Sequence, residues 1–248
     1  KNDANHPRTK RISMTYEGDG FENFAERIEE IVQEVIETAN LATLGGESVV
    51  VLSDRDAFEG GKLPLPAVYL AQLIHTRLVN TGKERNVSIV VESGSVRHGH
   101  DMGLLIAHGV SAVCPYMLDE VAKTADDPDQ ALFNLYEAEN EEFVKMISKL
   151  GISTLDGSRM GYWFSSVGLS PEVVKVGGAK IDSKVGGLDL RGIYDNLVVP
   201  QTTRKSGHAA WLKLTNANLE KKIGAYEKDF RMLMNYVAYP DLKNLSVS

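Results

Sequence analysis

Polar and ionisable residues directly follow several apolar runs of the sequence, where they could carry acid–base chemistry. The segments are Ser53-Asp54-Arg55, Glu92-Ser93-Gly94, Pro115-Tyr116 and Asp156-Gly157-Ser158-Arg159. If the runs are parallel strands, these segments lie past the carboxyl ends, which face the ligand crevice of such sheets. Together with histidines elsewhere in the chain they could form a proton-transfer site. The candidate surface consists of Asp54, Arg55, Glu92, His75, His100 and Ser153.

A structural role is the stronger interpretation of the same residues. Polar side chains are common at strand ends, and Asp54 and Arg55 could cap helices and pair with each other. His75 lies in a helical pattern with Leu70 and Leu78, where a lone histidine is more often structural or interfacial than catalytic. We therefore assign no catalytic residue from the sequence.

Two further patterns resemble ligand sites only loosely. His98, His100 and Asp101 carry imidazole and carboxylate groups, but their spacing matches no helical two-histidine metal motif. A solvated helix start explains them better, with Asp101 near the positive helix end. The pairs Gly177-Gly178 and Gly186-Gly187 lack the rest of a phosphate-binding or dinucleotide pattern and predict turns. The sequence thus predicts neither a metal site nor a cofactor site.

The elements that must position these residues follow from periodicity. The patterns predict strands at 12–16, 48–54, 87–91, 111–114 and 152–155, and helices at 21–39, 64–78, 102–108 and 132–150. Alternating strands and helices are typical of parallel βα units, either an incomplete TIM-barrel-like arrangement or an open doubly wound sheet. We expect an α/β domain over residues 1–195, and a loop with a C-terminal helix over 196–248. That helix carries apolar residues from Leu219 to Val237 at steps of four and three.

Composition excludes several classes of partner and site. The 248 residues carry 34 acidic and 27 basic side chains, and the net charge of −7 disfavours nucleic acids and anionic membranes. No apolar stretch is long enough for a membrane span. A single cysteine, Cys114, cannot form an internal disulfide or hold an iron–sulfur cluster, and it fits a reducing, cytoplasmic location. Because the chain opens on Lys1, it could be a fragment of a longer polypeptide.

Several stretches carry specific motifs. They are Val49–Arg55, ending in Leu-Ser-Asp-Arg; Leu63–Ala67 with Ile74-His75; Val91–Tyr116; Val144–Leu155; and Val167–Ser170. In this order they resemble the central domain of glutamate synthase, over roughly Arg11 to Leu190. The most specific block is Lys149–Leu155, Lys-Leu-Gly-Ile-Ser-Thr-Leu. The chain departs from the family at Asp101, where a histidine is usual, at Cys114, where asparagine is usual, and after Ser158.

The resemblance implies a division of labour. In that family a glutaminase domain releases ammonia, and a flavin-binding barrel beside an iron–sulfur cluster reduces the imine formed with 2-oxoglutarate. The central domain resembles the flavin barrel without being known as its cofactor site; it joins the two parts and helps to wall the ammonia passage. The resemblance therefore implies a non-catalytic structural and channelling domain, with FMN and the cluster in partner domains or subunits and no cofactor in this chain.

Two alternatives stay open at this point. The first is a stand-alone barrel-like enzyme that uses Asp54, His75 and His100, with bound flavin. The second is a regulatory module that binds a small anion at its strand ends. The sequence also leaves open a homo-oligomer.

Overall fold

The computed structural model describes residues 8–17, 20–44, 48–57, 62–159, 161, 163–176, 181 and 183–202. The strands are β1 (Arg8–Ser13), β2 (Thr15–Tyr16), β3 (Ser48–Ser53), β4 (Leu63–Pro64), β5 (Val87–Glu92), β6 (Ala112–Cys114), β7 (Ser166–Leu169) and β8 (Ser183–Leu188). The helices are α1 (Phe21–Ala42), α2 (Ala67–Asn80), α3 (Gly99–Ala107), α4 (Tyr116–Ala122), α5 (Pro128–Lys149), α6 (Leu155–Ser158), α7 (Pro171–Val174) and α8 (Leu190–Thr202).

A parallel sheet forms the centre of the fold. Its four strands lie in the order β1-β3-β5-β6, and each neighbouring pair is parallel. The predicted parallel βα units are therefore confirmed, and the described strands leave the sheet open instead of closing it into a barrel. The order follows the chain without the reversal that defines a doubly wound sheet.

The helices that connect these strands cover one face of the sheet. Right-handed crossovers that all advance in one direction place their helices on the same side, and α1 contacts α2, which contacts α3. The side chains of Val50, Leu52, Ile89 and Val91 are buried on this face. The residues that alternate with these four point to the other face of the sheet, where they are only half-buried. Each fully buried aliphatic side chain stabilises the fold by roughly 1.5–3 kcal/mol.

Helix α1 forms because its apolar residues recur at the spacing of one helix face. Phe24, Ile28, Ile31, Val32 and Val35 of that face are all buried. The ring of Phe24 packs edge-on against Tyr16 of β2, with the ring centroids 5.3 Å apart. The sequence also predicts a cap from Asp19, which lies outside the described residues. The helix begins after Gly20.

Two local predictions are wrong. Residues 152–155 do not form a strand: Thr154 caps α6, its hydroxyl accepting a hydrogen bond from the Gly157 amide at 3.1 Å. The polar composition after residue 196 predicts a loop, but α8 continues to Thr202. The Asp189 carboxylate accepts a hydrogen bond from the Gly192 amide at 2.7 Å, and this capping contact stabilises the first turn of α8.

Contacts between Cα atoms divide the chain into two units, Lys1–Gly187 and Leu188–Ser248. The first contains the parallel sheet, and the second contains α8. The predicted domain boundary after residue 195 stays a prediction, and the predicted helix from Leu219 to Val237 lies outside the described residues. Within the described part of the chain, no helix combines the length and the apolar character that crossing a bilayer requires.

Candidate functional site

The sheet brings three of the candidate residues to one edge. Ser53 at the end of β3 lies opposite Glu92 at the end of β5, and Glu92 lies opposite Cys114 at the end of β6. Asp54 and Arg55 follow Ser53 directly. The parallel register therefore assembles Asp54, Arg55 and Glu92, together with their neighbours, into one strand-end cluster.

Glu92 is the centre of the strand-end cluster. Its side chain is only 7% exposed, and Oε1 accepts a hydrogen bond from Arg55 Nε at 2.5 Å. Oε2 accepts from Ser53 Oγ at 2.6 Å and also pairs with Arg11 Nη1. Burial on its own would raise the pKa of Glu92, but the hydrogen bonds from Ser53, Arg55 and Arg11 outweigh burial and lower the pKa. The carboxylate is therefore ionised at neutral pH, with both oxygens engaged.

Arg55 lies over the neighbouring aromatic ring. The central carbon of its guanidinium is 4.4 Å from the ring centroid of Tyr116, a cation–π distance. The hydrogen bond with Glu92 is the main reason why the pKa of Arg55 is raised. Glu92 and Tyr116 together hold this guanidinium in place, although the side chain is 45% exposed.

Asp54 does not pair with Arg55, in contrast to the structural interpretation of the sequence. Its carboxylate points inward, where it accepts from Ser93 Oγ at 2.6 Å and from the Gly94 amide at 2.9 Å. Asp54 is only 3% exposed, whereas Arg55 beside it in the turn lies at the surface and reaches Glu92. Asp54 thus ties the end of β3 to the turn after β5.

Gly94 is required by the position of Tyr116. A Cβ atom at residue 94 would lie 2.8 Å from Tyr116 Oη and 2.9 Å from Met117 Cγ. Side-chain atoms do not approach that closely, so any larger residue would move the ring on which Arg55 lies. The Tyr116 phenol has a raised pKa, first because of burial and then because of Asp54. It is therefore neutral at physiological pH.

A second polar group beside the cluster joins β1 and β2 to the turn after β3. Asp56 accepts hydrogen bonds from Ser13 Oγ at 2.9 Å, from Thr15 Oγ1 at 3.2 Å and from Lys62 Nζ at 3.1 Å. Burial acts to raise the pKa of Asp56, but the bonds from Ser13 and Lys62 outweigh it and the pKa is lowered. These contacts hold the three segments together and so have a structural role.

His75 lies apart from this edge. It is a residue of α2, and its buried side chain faces the segment that follows α3. Its Nδ1 has no hydrogen-bond partner among the described residues, and the ring packs against Gly109. Burial, followed by the nearby charge of Arg159, lowers the pKa of His75 to about 4. The imidazole is therefore neutral and sequestered at physiological pH, as a packing residue would be.

His100 and its neighbours form the start of α3. His98 caps the helix, its ring nitrogen accepting from the Asp101 amide at 3.3 Å. His100 Nδ1 pairs with Glu142 Oε1 of α5 at 2.8 Å. Across the described ranges, no three His, Cys, Asp or Glu side chains converge as metal ligands. These residues join α3 to α5.

Ser153 is exposed in the connection between α5 and α6. In the part of the chain that the structure describes, no hydrogen bond or ion pair joins Ser153, His75 or His100 to the strand-end cluster. Among the six candidates, the described hydrogen bonds join only three: Arg55 bonds to Glu92, and the Asp54 amide donates to the Glu92 carbonyl at 3.1 Å.

No pattern in the sequence indicates Glu139 of α5, an ionisable group with an unusual environment. It is 8% exposed, and its Oε2 has no hydrogen-bond partner among the described residues. Burial, followed by the charges of Glu142 and Asp101, raises the pKa of Glu139 to about 7. The folded state therefore disfavours the ionised form.

Glu139→Gln should stabilise the protein in alkaline solution. The pKa of Glu139 is about 7 in the folded state against 4.5 for an unperturbed glutamate, so its ionisation destabilises the fold increasingly between these pH values and fully above them. We expect the variant to gain about 1–3 kcal/mol in free energy of unfolding at pH 8 and little at pH 4.5. Urea unfolding at both pH values measures this. Glu141→Gln on the same helix is the control, since Glu141 pairs with Lys145 and its pKa is lowered. A gain that does not depend on pH would contradict the assignment.

A groove of about 700 Å³ lies elsewhere, along α5. Its lining includes Met146, Lys149, Leu150, Trp163 and Phe164. The two aromatic rings are stacked with centroids 4.4 Å apart, and Trp163 Nε1 donates to the Ser158 carbonyl at 2.9 Å. The adjacent aromatic residues Trp163 and Phe164 could have indicated this groove from the sequence.

No sequence pattern could have indicated Arg11 of the strand-end cluster, because its contact with Glu92 depends on the register of β1.

The thiol at the end of β6 is not activated. Burial, followed by the charges of Glu92 and Asp119, raises the pKa of Cys114. A thiol that remains protonated is a poor nucleophile. The cluster thus combines carboxylates that are already bonded, a protonated thiol and an oriented guanidinium, which suits structure or anion contact better than proton transfer.

The chain matches one protein family over most of its length. A family model described as the glutamate synthase central domain matches residues 2–170. The ferredoxin-dependent glutamate synthase of Pyropia yezoensis is 30% identical over 190 residues, which are 69% of this chain and 12% of that protein. The large chain of the NADPH glutamate synthase of Bacillus subtilis (strain 168) is 31% identical over 179 residues, with the same shares of 69% and 12%. The NADH glutamate synthase of Schizosaccharomyces pombe is 32% identical over 173 residues, 66% of this chain and 8% of that protein.

The chain spans about a tenth of the length of the curated relatives that it matches. The matched region contains the parallel sheet and the whole strand-end cluster, from Arg11 to Tyr116. A match over more than half of the residues establishes the relationship, and the chain belongs to the glutamate synthase central domain family.

Proposed function

We propose that this chain is a non-catalytic structural and channelling part of a glutamate synthase, which links a glutaminase part to an FMN-binding part. In this proposal the FMN and the iron–sulfur cluster belong to the partner parts. The chain itself has one cysteine, and a four-cysteine cluster cannot form on it alone.

The observation that carries the proposal is that the strand-end carboxylates are buried and already bonded within the protein. Both oxygens of Asp54 and both oxygens of Glu92 already accept hydrogen bonds from protein donors. A general base must accept a proton from a bound substrate. His75 is buried, neutral and packed against Gly109, so it also lacks the access that acid–base catalysis needs.

The same bonds make the sheet edge rigid, which a channelling role requires. Glu92 links β1 to the turn after β3 through Arg11 and Arg55, and Asp56 links that turn to β1 and β2. Ammonia that passes between two sites must be kept from protonation and escape, which demands a wall that excludes water. A cross-linked edge is suited to form part of such a wall.

A cytoplasmic location is part of the proposal. Cys114 is a free, half-buried thiol with a raised pKa. Free thiols of this kind persist in reducing compartments.

An absorption spectrum with a reconstitution assay tests the proposed function. We expect the purified chain to show no flavin band and no glutamate formation from glutamine and 2-oxoglutarate. Adding a glutaminase partner, a flavoprotein partner and a two-electron reductant such as NADPH should give glutamate formation that depends on 2-oxoglutarate, with close to one glutamine hydrolysed and one NADPH oxidised per 2-oxoglutarate consumed. A flavin band, or glutamate formation by the chain alone, would overturn the proposal in favour of a stand-alone enzyme. Full coupling of the two partners without this chain would remove its channelling role.

A further inference from the structure

The strand-end cluster contains an arginine whose surroundings go beyond what a structural tie requires. We propose that Arg55 is the anchor of a binding site for a small carboxylate, formed by the outward edge of its guanidinium at the end of β3. This site is independent of the proposed structural and channelling role.

The first argument is preorganisation. Glu92, 7% exposed, holds Arg55 through Nε, and the guanidinium rests on Tyr116 at 4.4 Å. Gly94 leaves the space that this ring occupies. An exposed arginine normally loses rotamer freedom when it binds a ligand, and that loss opposes binding. Because Arg55 is already fixed by a buried carboxylate and by an aromatic face, a ligand avoids most of this cost.

The second argument is unused hydrogen-bonding capacity. Arg55 uses Nε for Glu92, and among the described residues the other side chain that interacts with its guanidinium as a hydrogen-bond partner is the weakly accepting thiol of Cys114. Glu92 is also the only carboxylate in ion-pair contact with Arg55 in the described part of the chain. The two Nη groups present parallel N–H donors, which match the two oxygens of a carboxylate. The 45% exposure of the side chain gives a ligand access to them.

The third argument concerns charge. Asp54 is next to Arg55, but its carboxylate is 3% exposed and bonded to Ser93 and Gly94, so it does not occupy the guanidinium. Arg11 reaches Glu92 from the other side and is 58% exposed. Two guanidinium groups thus share the Glu92 carboxylate, and their exposed sides present cationic N–H donors, while the Asp54 carboxylate is buried.

The geometry also limits the affinity and the type of ligand that the site can bind. The donors lie at a strand end and open to solvent, so the ligand keeps part of its surface in water. We therefore expect a dissociation constant on the order of 1 mM for succinate, a symmetric dicarboxylate probe. The planar fork favours carboxylates over spherical anions such as chloride.

The test is a titration of the intact chain with sodium succinate, followed by the NMR signal of the Arg55 Nε–Hε group and by calorimetry. We expect saturable binding by the wild-type chain. Arg55→Gln should weaken it at least about tenfold, because a charge-assisted bidentate contact is lost. Arg55→Lys keeps the charge without the fork and should weaken it by a smaller factor, about threefold to tenfold.

Lys149→Gln is the matched control, since Lys149 is an exposed cation in the groove along α5. Its substitution should leave succinate binding unchanged. Circular dichroism of each variant checks that the fold is retained, and Arg55→Lys preserves a cation opposite Glu92 if Arg55→Gln proves unstable. Three results would overturn the proposal: no saturable succinate binding by the wild-type chain, equal binding by Arg55→Gln, or equal weakening by Lys149→Gln. Tighter binding of inorganic phosphate than of succinate would overturn the carboxylate assignment.

Discussion

Gly109→Ala is expected to lower the free energy of unfolding by about 3–5 kcal/mol, a large part of the stability of a typical domain. Gly109 has a φ of +96°, which side-chain-bearing residues rarely adopt. A Cβ atom at residue 109 would overlap Cγ and Cδ2 of the His75 ring and lie 2.8 Å from its Cβ. His75 is buried in close-packed surroundings, so the ring cannot move aside freely. Urea unfolding followed by circular dichroism measures the loss.

Two further variants separate backbone strain from the overlap with His75. Gly82 has a φ of +67°, and a Cβ atom there would meet nothing within 4 Å. Gly82→Ala should therefore cost only about 1 kcal/mol, the backbone contribution alone. In the His75→Ala background the overlap is absent, so Gly109→Ala should cost clearly less than in the wild-type chain. Equal costs in both backgrounds would contradict the steric explanation.

Glu92→Gln is expected to lower the free energy of unfolding by about 2 kcal/mol at pH 7. The substitution removes the charge that holds Arg11 and Arg55 and weakens the bond with Ser53. The cost lies below that of a fully buried ion pair, because both arginines are half-exposed and can be hydrated. Chemical unfolding at several pH values measures it.

The pH dependence has a definite sign. The pKa of Glu92 is lowered in the folded state, so its contribution is present above the unperturbed value of 4.5 and is lost as the pH falls through the folded pKa. The difference between the wild-type chain and Glu92→Gln should therefore shrink below pH 4.5. Glu34→Gln, which removes the exposed partner of Lys10, is the control and should change stability by less than about 0.5 kcal/mol. A comparably small change for Glu92→Gln would contradict a central role for this carboxylate.

The sequence predicted the sheet more reliably than the contacts made at its edge. The runs of β-branched residues in β3 and β5 indicated strands of a parallel sheet, and the structure confirms this. Parallel register then brings Ser53 and Glu92 to the same edge. The strands themselves depend on local composition, which one sequence displays.

The partner of each charged residue could not be predicted in the same way. Arg55 bonds to Glu92 across the sheet and not to the adjacent Asp54, because consecutive side chains in the turn point in different directions. Arg11 depends on the register of β1, and the environment of Glu139 depends on how α3 meets α5. These are consequences of tertiary packing, and no local pattern specifies them. The strand predicted at 152–155 is wrong for the opposite reason, since the side chain of Thr154 selects a helical turn locally.

The strand order of the sheet has a consequence for recognition at its edge. In an open sheet whose order reverses, neighbouring crossovers diverge and leave a cleft into which a ligand sinks. Here the order β1-β3-β5-β6 runs in one direction only. Among the described strands, no reversal point therefore opens a cleft between diverging crossovers at this edge. A molecule that binds at the described strand ends would be selected by the direction of a few hydrogen bonds, and tight, shape-selective recognition would require a further surface.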